Sequence, residues 1–185
     1  MNQHAIRAVR ADEWQQVKEL RIAALKDPVA SIAFLESLAE AEAKPDSHWQ
    51  DRAAGASHGR SVRQFIAEAP DGRWDGSVTV LIEEAGDSGI FGGAMALNQG
   101  HLVGVFVRPG QRGTGLIEAL FEAALDWAWS LETPVLERVR LYVHERNDRA
   151  AACYRRMGFT PTGEVVPMPG DPSAKELEYA VPRPE

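Results

Sequence analysis

The sequence predicts an α+β fold in which helices flank a mixed, mostly antiparallel sheet. Its middle part contains runs of β-branched residues joined by short turns, which is the pattern of an antiparallel meander. A long amphipathic helix then separates the meander from a further strand, which predicts a parallel crossover. The part before the meander has mostly helical periodicity. With 185 residues, the chain is expected to form one domain over 1–185.

Helical signals dominate the N-terminal part, after an alternating segment at 4–10 that predicts a short strand. Three helices are expected to follow: Asp12 to Lys26 with Asp12 as its cap, Val29 to Ala43, and Ser47 to Ala54 with Ser47 as its cap. The first helix should end at Asp27, because a residue that precedes a proline disfavours helical backbone.

Strands and two further helices account for the rest of the chain. The predicted strands are Ser77–Glu84, Ile90–Leu97, His101–Arg108, Arg138–His144, Phe159–Val166 and Glu176–Val181. Apolar residues recur at helical spacing from Ile117 to Ala128, with acidic residues on the other face. A short helix should run from Asn147 or Asp148 to Met157, since Gly158 is placed to end it.

Composition and charge exclude several classes of function. The net charge is −7 and no basic run occurs, so nucleic acids and acidic membrane surfaces are poor partners. Cys153 is the single cysteine, which excludes an internal disulfide and a cysteine-clustered zinc site, and no metal is expected. No apolar stretch approaches the roughly 18 residues of a membrane span, and the first residues lack the apolar core of a signal peptide. We therefore expect a cytoplasmic protein.

The segment 105–117 joins the end of a predicted strand to the start of the long helix through a glycine-containing loop. Free amide N–H groups and the positive end of the helix dipole favour a phosphate at such a helix start, and Arg112 could pair with it. A plain strand–helix connection is the alternative. The spacing of Gly110 and Gly115 fits a Walker A loop, but the required Lys and hydroxyl residue are missing. The glycines also fail the dinucleotide-binding pattern.

A second segment narrows the choice of ligand. Residues 147–159 read N-x-x-A-x-x-x-Y-x-x-x-G-F, and Val107–Gly115 reads V-x-P-x-x-R-G-x-G. With both motifs in this order and on these predicted elements, the chain resembles the GCN5-related N-acetyltransferase (GNAT) family. The motifs cover about Val105 to Phe159, and the flanking elements match the family fold in outline. The resemblance implies the GNAT fold and acetyl-CoA as acyl donor.

The resemblance also implies roles for individual residues. The strand backbone at Val105, Phe106 and Val107 would bind the pantetheine arm of acetyl-CoA. The pyrophosphate would lie on Arg112, Gly113, Thr114, Gly115, Leu116 and Ile117, where Ile117 replaces the usual Gly or Ala. Asn147 would contact the cofactor arm, and Tyr154 would protonate the departing thiolate. Asn147 and Tyr154 are two helical turns apart and so share a helix face.

The general base and the acceptor are less determined by the sequence. An ammonium acceptor must lose a proton before it attacks the thioester, and the candidate bases are Glu68, Glu83, Glu84, His101 and His144. The expected reaction is acetyl transfer to a primary amine of a small molecule or peptide, by direct attack in a ternary complex. A non-catalytic acyl-CoA-binding sensor is the alternative. We also expect a homodimer, formed through an exposed aromatic residue of the long helix or through the C-terminal strands.

Overall fold

A computed structural model describes residues 3–185, which form a seven-stranded sheet with six helices. The strands are β1 Ala5–Ala8, β2 Val62–Glu68, β3 Trp74–Glu83, β4 Gln99–Val107, β5 Arg138–His144, β6 Thr160–Met168 and β7 Asp171–Pro182. The helices are α1 Trp14–Leu25, α2 Ala30–Ala33, α3 Leu38–Ala43, α4 Asp46–His58, α5 Leu116–Ser130 and α6 Asp148–Arg156. Within the described residues, no helix has the length and apolar content that crossing a membrane requires.

The sheet confirms the predicted mixed α+β architecture. Its strand order is β1-β2-β3-β4-β5-β7-β6, and every neighbouring pair is antiparallel except β4 and β5. The parallel pair is the predicted crossover, with α5 as its connecting helix. β5 and α6 lie where the sequence predicts them, and Gly158 follows α6 with a positive φ of 89°.

Helices cover both faces of the sheet and bury a core on each. On one face, α5 packs its apolar stripe against the sheet, with Leu120 and Phe121 almost completely buried. On the other face, α1 and α4 enclose a second core, in which Trp49 of α4 is fully buried near Ile66 and Phe106. The candidate site residues lie on and beside β4 and β5, in the part of the sheet between the two cores.

The predicted N-terminal helix boundaries are partly wrong. The expected helix Val29–Ala43 is split into α2 and α3, because Phe34 adopts extended backbone with φ −136° and ψ 145°. Ser37 then starts α3 with a capping box, in which its hydroxyl accepts from the Glu40 N–H and the Glu40 carboxylate accepts from the Ser37 N–H. This local cap stabilises a new helix start inside the predicted one.

Neither predicted cap residue caps its helix. The N-cap of the first helix is Glu13 instead of Asp12, because the Glu13 N–H bonds to the Arg10 carbonyl in a turn that precedes α1. The N-cap of α4 is Pro45 instead of Ser47, and α4 also runs four residues beyond the predicted end at Ala54. Proline suits a helix start, since its missing N–H has no role there.

The strands that form the antiparallel meander also differ from the predicted ones. Ile90–Leu97 is a loop instead of a strand, with positive φ at Gly92 and Gly93 and only the isolated bridge Ser88–Ala94. Two consecutive glycines in that conformation cannot continue a strand. The third antiparallel strand is β2, which the sequence prediction missed and which lies between β1 and β3.

Candidate functional site

The central feature of the site is a gap between the two parallel strands. β4 and β5 pair at only three positions, Gln99–Arg138, Gly100–Val139 and His101–Arg140. Beyond these positions β5 remains paired with β7 along its whole length, whereas β4 follows β3. The backbone groups of β4 after His101 that face β5 are therefore left for another partner.

A bulge in β4 bends the strand away from β5. Ser77 of β3 pairs with Phe106, but Thr79 pairs with Val103, so β4 has one more residue than β3 in this interval. Gly104 lies in the bulge with φ +60°, a conformation that residues with a side chain rarely adopt. The bulge opens the gap and leads directly into the predicted pantetheine-binding segment 105–107.

A cavity of about 580 Å³ fills the gap and reaches both faces of the sheet. The predicted site residues that line it are Val105, Phe106, Val107, Arg112, Gly113, Ile117, Asn147 and Tyr154. Thr114, Gly115 and Leu116 do not line it, and the Leu116 side chain is buried in the core. Ile117 packs on the same core and also reaches the cavity.

The loop before α5 is shaped for a close ligand. Gly113 and Gly115 have φ values of +78° and +85°, and a Cβ atom built on either residue would meet nothing within 4 Å. Gly115 is the N-cap of α5 and has no side chain to accept from the first amides of the helix. The Gly115 carbonyl accepts from the Ala119 N–H, which is the first amide of α5 with a backbone acceptor. The amides of residues 116–118 have no acceptor among residues 3–185. An anion would find uncapped N–H donors and the positive helix end here.

The Arg112 side chain has protein partners. Its Nε donates to the Val107 carbonyl at 3.0 Å, and its Nη2 donates to Asp27 Oδ2 at 2.5 Å. Burial raises the pKa of Asp27, but hydrogen bonds from the Val29 N–H and Arg112 outweigh it and lower this pKa below its usual value. Arg112 therefore ties the glycine loop to the connection between α1 and α2, in addition to facing the cavity.

Asn147 and Tyr154 lie on the cavity side of α6. The Asn147 carbonyl oxygen Oδ1 accepts from the Ala150 N–H at 3.2 Å, so this residue caps the helix. The Tyr154 ring stacks on Phe121 with centroids 5.7 Å apart, and its hydroxyl makes no hydrogen bond to a described residue. Burial, followed by Cys153 and Glu176, raises the pKa of Tyr154 above its usual value. The hydroxyl therefore remains a proton donor over the physiological range.

Sequence analysis missed Glu176, a carboxyl group in the same cavity. Glu176 of β7 lies opposite His144 of β5 in the sheet and is 7% exposed, and its carboxyl group makes no hydrogen bond or ion pair within the described chain. Burial raises the pKa of Glu176 to about 7. The sequence does contain a signal for this residue. Glu176 and Glu178 alternate with Leu177 and Tyr179 in a predicted strand, which indicates that both carboxylates lie on the same face of that strand.

The carboxylates named as candidate bases are unsuited to that role in their present surroundings. Glu83 is held by Arg140 at 2.9 Å and His101 at 3.3 Å. Burial raises the pKa of Glu83, but these hydrogen bonds outweigh it and lower the pKa to about 2. Glu68 is paired with Arg7 near the sheet edge, and Glu84 is exposed. None of these three carboxylates lines the cavity.

The two candidate histidines do line the cavity. His101 is engaged with Glu83 and packs against the Tyr142 ring at 5.5 Å. His144 accepts the Arg146 N–H through Nδ1 at 3.1 Å. A neutral His144 ring in that bond carries its proton on Nε2, which leaves no free lone pair for a substrate proton. Glu176 is thus the buried, unpartnered acceptor of protons in the cavity.

Two curated acetyltransferases are similar to this chain in sequence. The chain is 37% identical over 93 residues to mycothiol acetyltransferase of Beutenbergia cavernae, which covers 48% of the chain and 30% of that protein. It is 33% identical over 102 residues to the peptidyl-lysine N-acetyltransferase YjaB of Escherichia coli, which covers 55% of the chain and 57% of that protein. The chain therefore spans between about a third and about half the length of these curated relatives.

A solved structure and a family model extend the match. Spermidine N-acetyltransferase of Vibrio cholerae, solved in complex with CoA and spermine, superimposes with a TM-score of 0.68 at 16% identity, over 98% of this chain and 96% of that chain. At this identity the likeness concerns the fold. The sequence model of the acetyltransferase (GNAT) family matches residues 33–159, which is more than half of the chain and includes both motifs. The chain thus belongs to the GNAT family of acetyltransferases.

Proposed function

We propose that this protein is an acetyl-CoA-dependent N-acetyltransferase that acts on a primary amine by direct attack in a ternary complex. The observation that carries the proposal is one cavity that joins the open edge of β4, the uncapped start of α5, Tyr154 and Glu176. The curated relatives are named as acetyltransferases, and one of them acts on peptidyl-lysine. When bound, acetyl-CoA would supply the acetyl group as a thioester.

The donor site would use mainly backbone groups. Backbone groups at 105–107 that bond neither β3 nor, at the Val107 carbonyl, Arg112 suit the amides of a pantetheine arm, because these amides can take the place of a missing strand. The amides of Gly113 through Ile117 suit a pyrophosphate. Arg112 would stabilise the loop through its bond to Asp27 and would add positive charge beside the pyrophosphate. Asn147 would offer its side-chain Nδ2, which has no acceptor among the described residues, to the cofactor arm.

Glu176 would accept the proton that the acceptor ammonium must lose. For a lysine-like amine with a pKa near 10.4, neutrality at pH 7 costs roughly 4–5 kcal/mol at 1.36 kcal/mol per pKa unit. A carboxylate whose pKa is about 7 can take up this proton and release it again near neutral pH. Its lack of protein partners leaves its oxygens available to the amine or to a bridging water.

Tyr154 would protonate the sulfur that departs from the acetyl group. Its ring is held by stacking on Phe121, and its hydroxyl lacks any competing acceptor within the described chain. Because burial raises the pKa of Tyr154, the hydroxyl is protonated at neutral pH and can donate to the sulfur as negative charge forms on it. Acid and base then belong to different elements, α6 and β7, on the two sides of one cavity.

The first prediction concerns the donor site. Gly113→Asp should raise the Kd for acetyl-CoA at least tenfold relative to Gly113→Asn, a difference of about 1.4 kcal/mol, because only Asp opposes the phosphates with a charge. Both side chains tolerate positive φ better than most and find open space at this position. Calorimetric titration measures the two affinities. Equal affinities of the two variants would show that the phosphates do not bind at this loop.

The second prediction concerns the acid. Tyr154→Phe should lower the single-turnover rate of acetyl transfer about 10²–10⁴-fold, because it removes the proton donor but keeps the ring stacked on Phe121. Tyr179→Phe is the matched control, since Tyr179 is buried outside the cavity and bonds Arg155. Rapid mixing with a working acceptor measures both rates. An unchanged rate in Tyr154→Phe would leave Tyr154 as a packing residue.

The third prediction concerns the base. In the wild type, kcat should rise as the pH increases through about 7, because Glu176 must be ionised to take a proton. Glu176→Gln keeps the shape but cannot accept the proton, so we expect a lower kcat, by about 10²–10⁴-fold, and loss of this limb of the pH profile. The titratable groups around Glu176 are His144 of β5, Glu178 of β7, and Cys153 and Tyr154 of α6.

Glu122→Gln is the matched charge control, because Glu122 is exposed on α5 and makes no contact with the cavity. Its pH profile should follow that of the wild type. A Glu176→Gln enzyme that keeps the limb near pH 7 would show that another group removes the proton.

We also propose that the chain forms a homodimer, through β6. Trp127 and Trp129 are only partly exposed, since they pack against Phe65 and beneath Arg183. β6 is an edge strand with mostly exposed residues, and Val165 is 50% exposed. Light scattering should give twice the chain mass for the wild type and the monomer mass for Val165→Lys, because a charged edge opposes strand pairing. A monomeric wild type would contradict this proposal.

A further inference from the structure

Arg52 of α4 is a cationic residue that lines the same cavity as Glu176. It lines the main cavity and also a smaller adjoining cavity of about 250 Å³ beneath α4. Its side chain is partly buried, and its guanidinium carbon lies 5.7 Å from the centre of the Trp49 ring. Trp49 is fully buried, so this contact holds the Arg52 stem against the core of the N-terminal helices.

The neighbouring charges are paired, but Arg52 is not. Arg21 donates to Glu36 at 2.9 Å, and Lys44 pairs with the same carboxylate. Arg52 has no hydrogen bond or ion pair with any residue in 3–185. Burial and the nearby Arg21 lower the pKa of Arg52, while Glu36 raises it, and an arginine keeps its charge in any case. A sheltered guanidinium without an anion is costly unless a ligand supplies one.

The small cavity adds hydrogen-bond donors, and Asp51, the carboxylate that lines it, is exposed. Gln64 of β2 is 5% exposed, and neither its Oε1 nor its Nε2 has a partner among the described residues. Thr79 of β3, directly opposite Gln64 in the sheet, is also buried, and its hydroxyl is unbonded within residues 3–185. Asp51 lies exposed at the rim and does not pair with Arg52. Arg52, Gln64 and Thr79 thus offer three donor groups to a space where neither Asp51 nor Gln64 Oε1 bonds to them.

Apolar side chains line the main cavity, which shares Arg52 with the small cavity. Phe34, Val103 and Phe106 are among them, and Ile32 contributes from α2. Such a surface suits methylene or other apolar groups of a ligand, while the two ends of the ligand meet charged groups. One planar guanidinium with an amide and a hydroxyl matches the two oxygens of a carboxylate, whereas a phosphate commonly calls for more positive charge.

We propose that the acceptor substrate is an ω-amino acid or a similar extended amine with a carboxylate at its far end, and that Arg52, Gln64 and Thr79 bind this carboxylate. The inference rests on the proposed N-acetyltransferase function and adds the chemical class of the acceptor. Arg52 is then a specificity residue, distinct from the groups that move protons. The negative end of the acceptor meets Arg52, and its ammonium meets Glu176.

The test compares matched acceptors. The probes are ω-amino acids of graded chain length and L-α-amino acids, each with its carboxamide, which keeps the amine and removes the negative charge. CoA release should give a kcat/KM at least about tenfold higher for the best carboxylate than for its carboxamide, since charge-assisted bonds exceed neutral ones. Arg52→Gln should lower kcat/KM much more for the carboxylate than for the carboxamide, so that the preference for the carboxylate is lost. Arg52→Lys should restore part of the preference.

Binding without turnover provides the second measurement. Calorimetry with CoA present compares an N-acetylated ω-amino acid with its carboxamide on the wild type, Arg52→Gln and the exposed control Arg60→Gln. Tighter binding of the carboxylate by the wild type and by Arg60→Gln, but not by Arg52→Gln, supports the proposal. No preference in the wild type, or a preference that survives in Arg52→Gln, overturns it.

Acetyl-CoA titration on the same preparations keeps the two proposals separate. Absence of donor binding counts against the N-acetyltransferase function itself. Intact donor binding together with faster turnover of carboxamides counts against the acceptor assignment alone.

Discussion

β4 and β5 stop pairing after His101 and Arg140, and the cavity exists because of that separation. The paired end is held by Arg140, which bonds Glu83 of β3 and Glu178 of β7 on its two sides. This buried bridge links three strands at the point where the gap begins. The bulge at Gly104 then directs β4 away from β5. A closed end and an open end on the same strand pair make a slot instead of a continuous sheet.

The slot brings together elements that are distant in the chain. β4 continues into the glycine loop and α5, so the helix start lies at one end of the cavity. β5 continues into α6, which Asn147 caps and which carries Tyr154. β7 contributes Glu176 because it pairs with β5 in antiparallel register. Arg112 links the loop to the connection after α1, so the donor side of the cavity is bonded to its N-terminal wall.

The sequence was most informative where structure is set locally. The glycine loop, the Asn147 cap and the helix of Tyr154 depend on backbone conformations and spacings that a few adjacent residues determine. β2 was missed, although it forms a hairpin with β3, because its other partner is β1, which lies far earlier in the chain. Arg112 illustrates the same limit, since its bond to Asp27 joins residues 85 positions apart. Glu176 stood in a predicted strand, but only the register with His144 brings it to the cavity.

Most buried charges in this chain have partners, and this makes the exceptions informative. Glu83, Glu178, Arg138 and Arg140 satisfy one another across the sheet, so their role is explained by folding. Glu176 and Arg52 line the same cavity with no hydrogen-bond or ion-pair partner among residues 3–185, and burial opposes the charge on each of them. Folding alone gives no reason to shelter two unpaired ionisable groups, because each costs stability. A ligand with an ammonium at one end and a carboxylate at the other would offset both costs at once, which is why these two residues define the acceptor side of the proposed reaction.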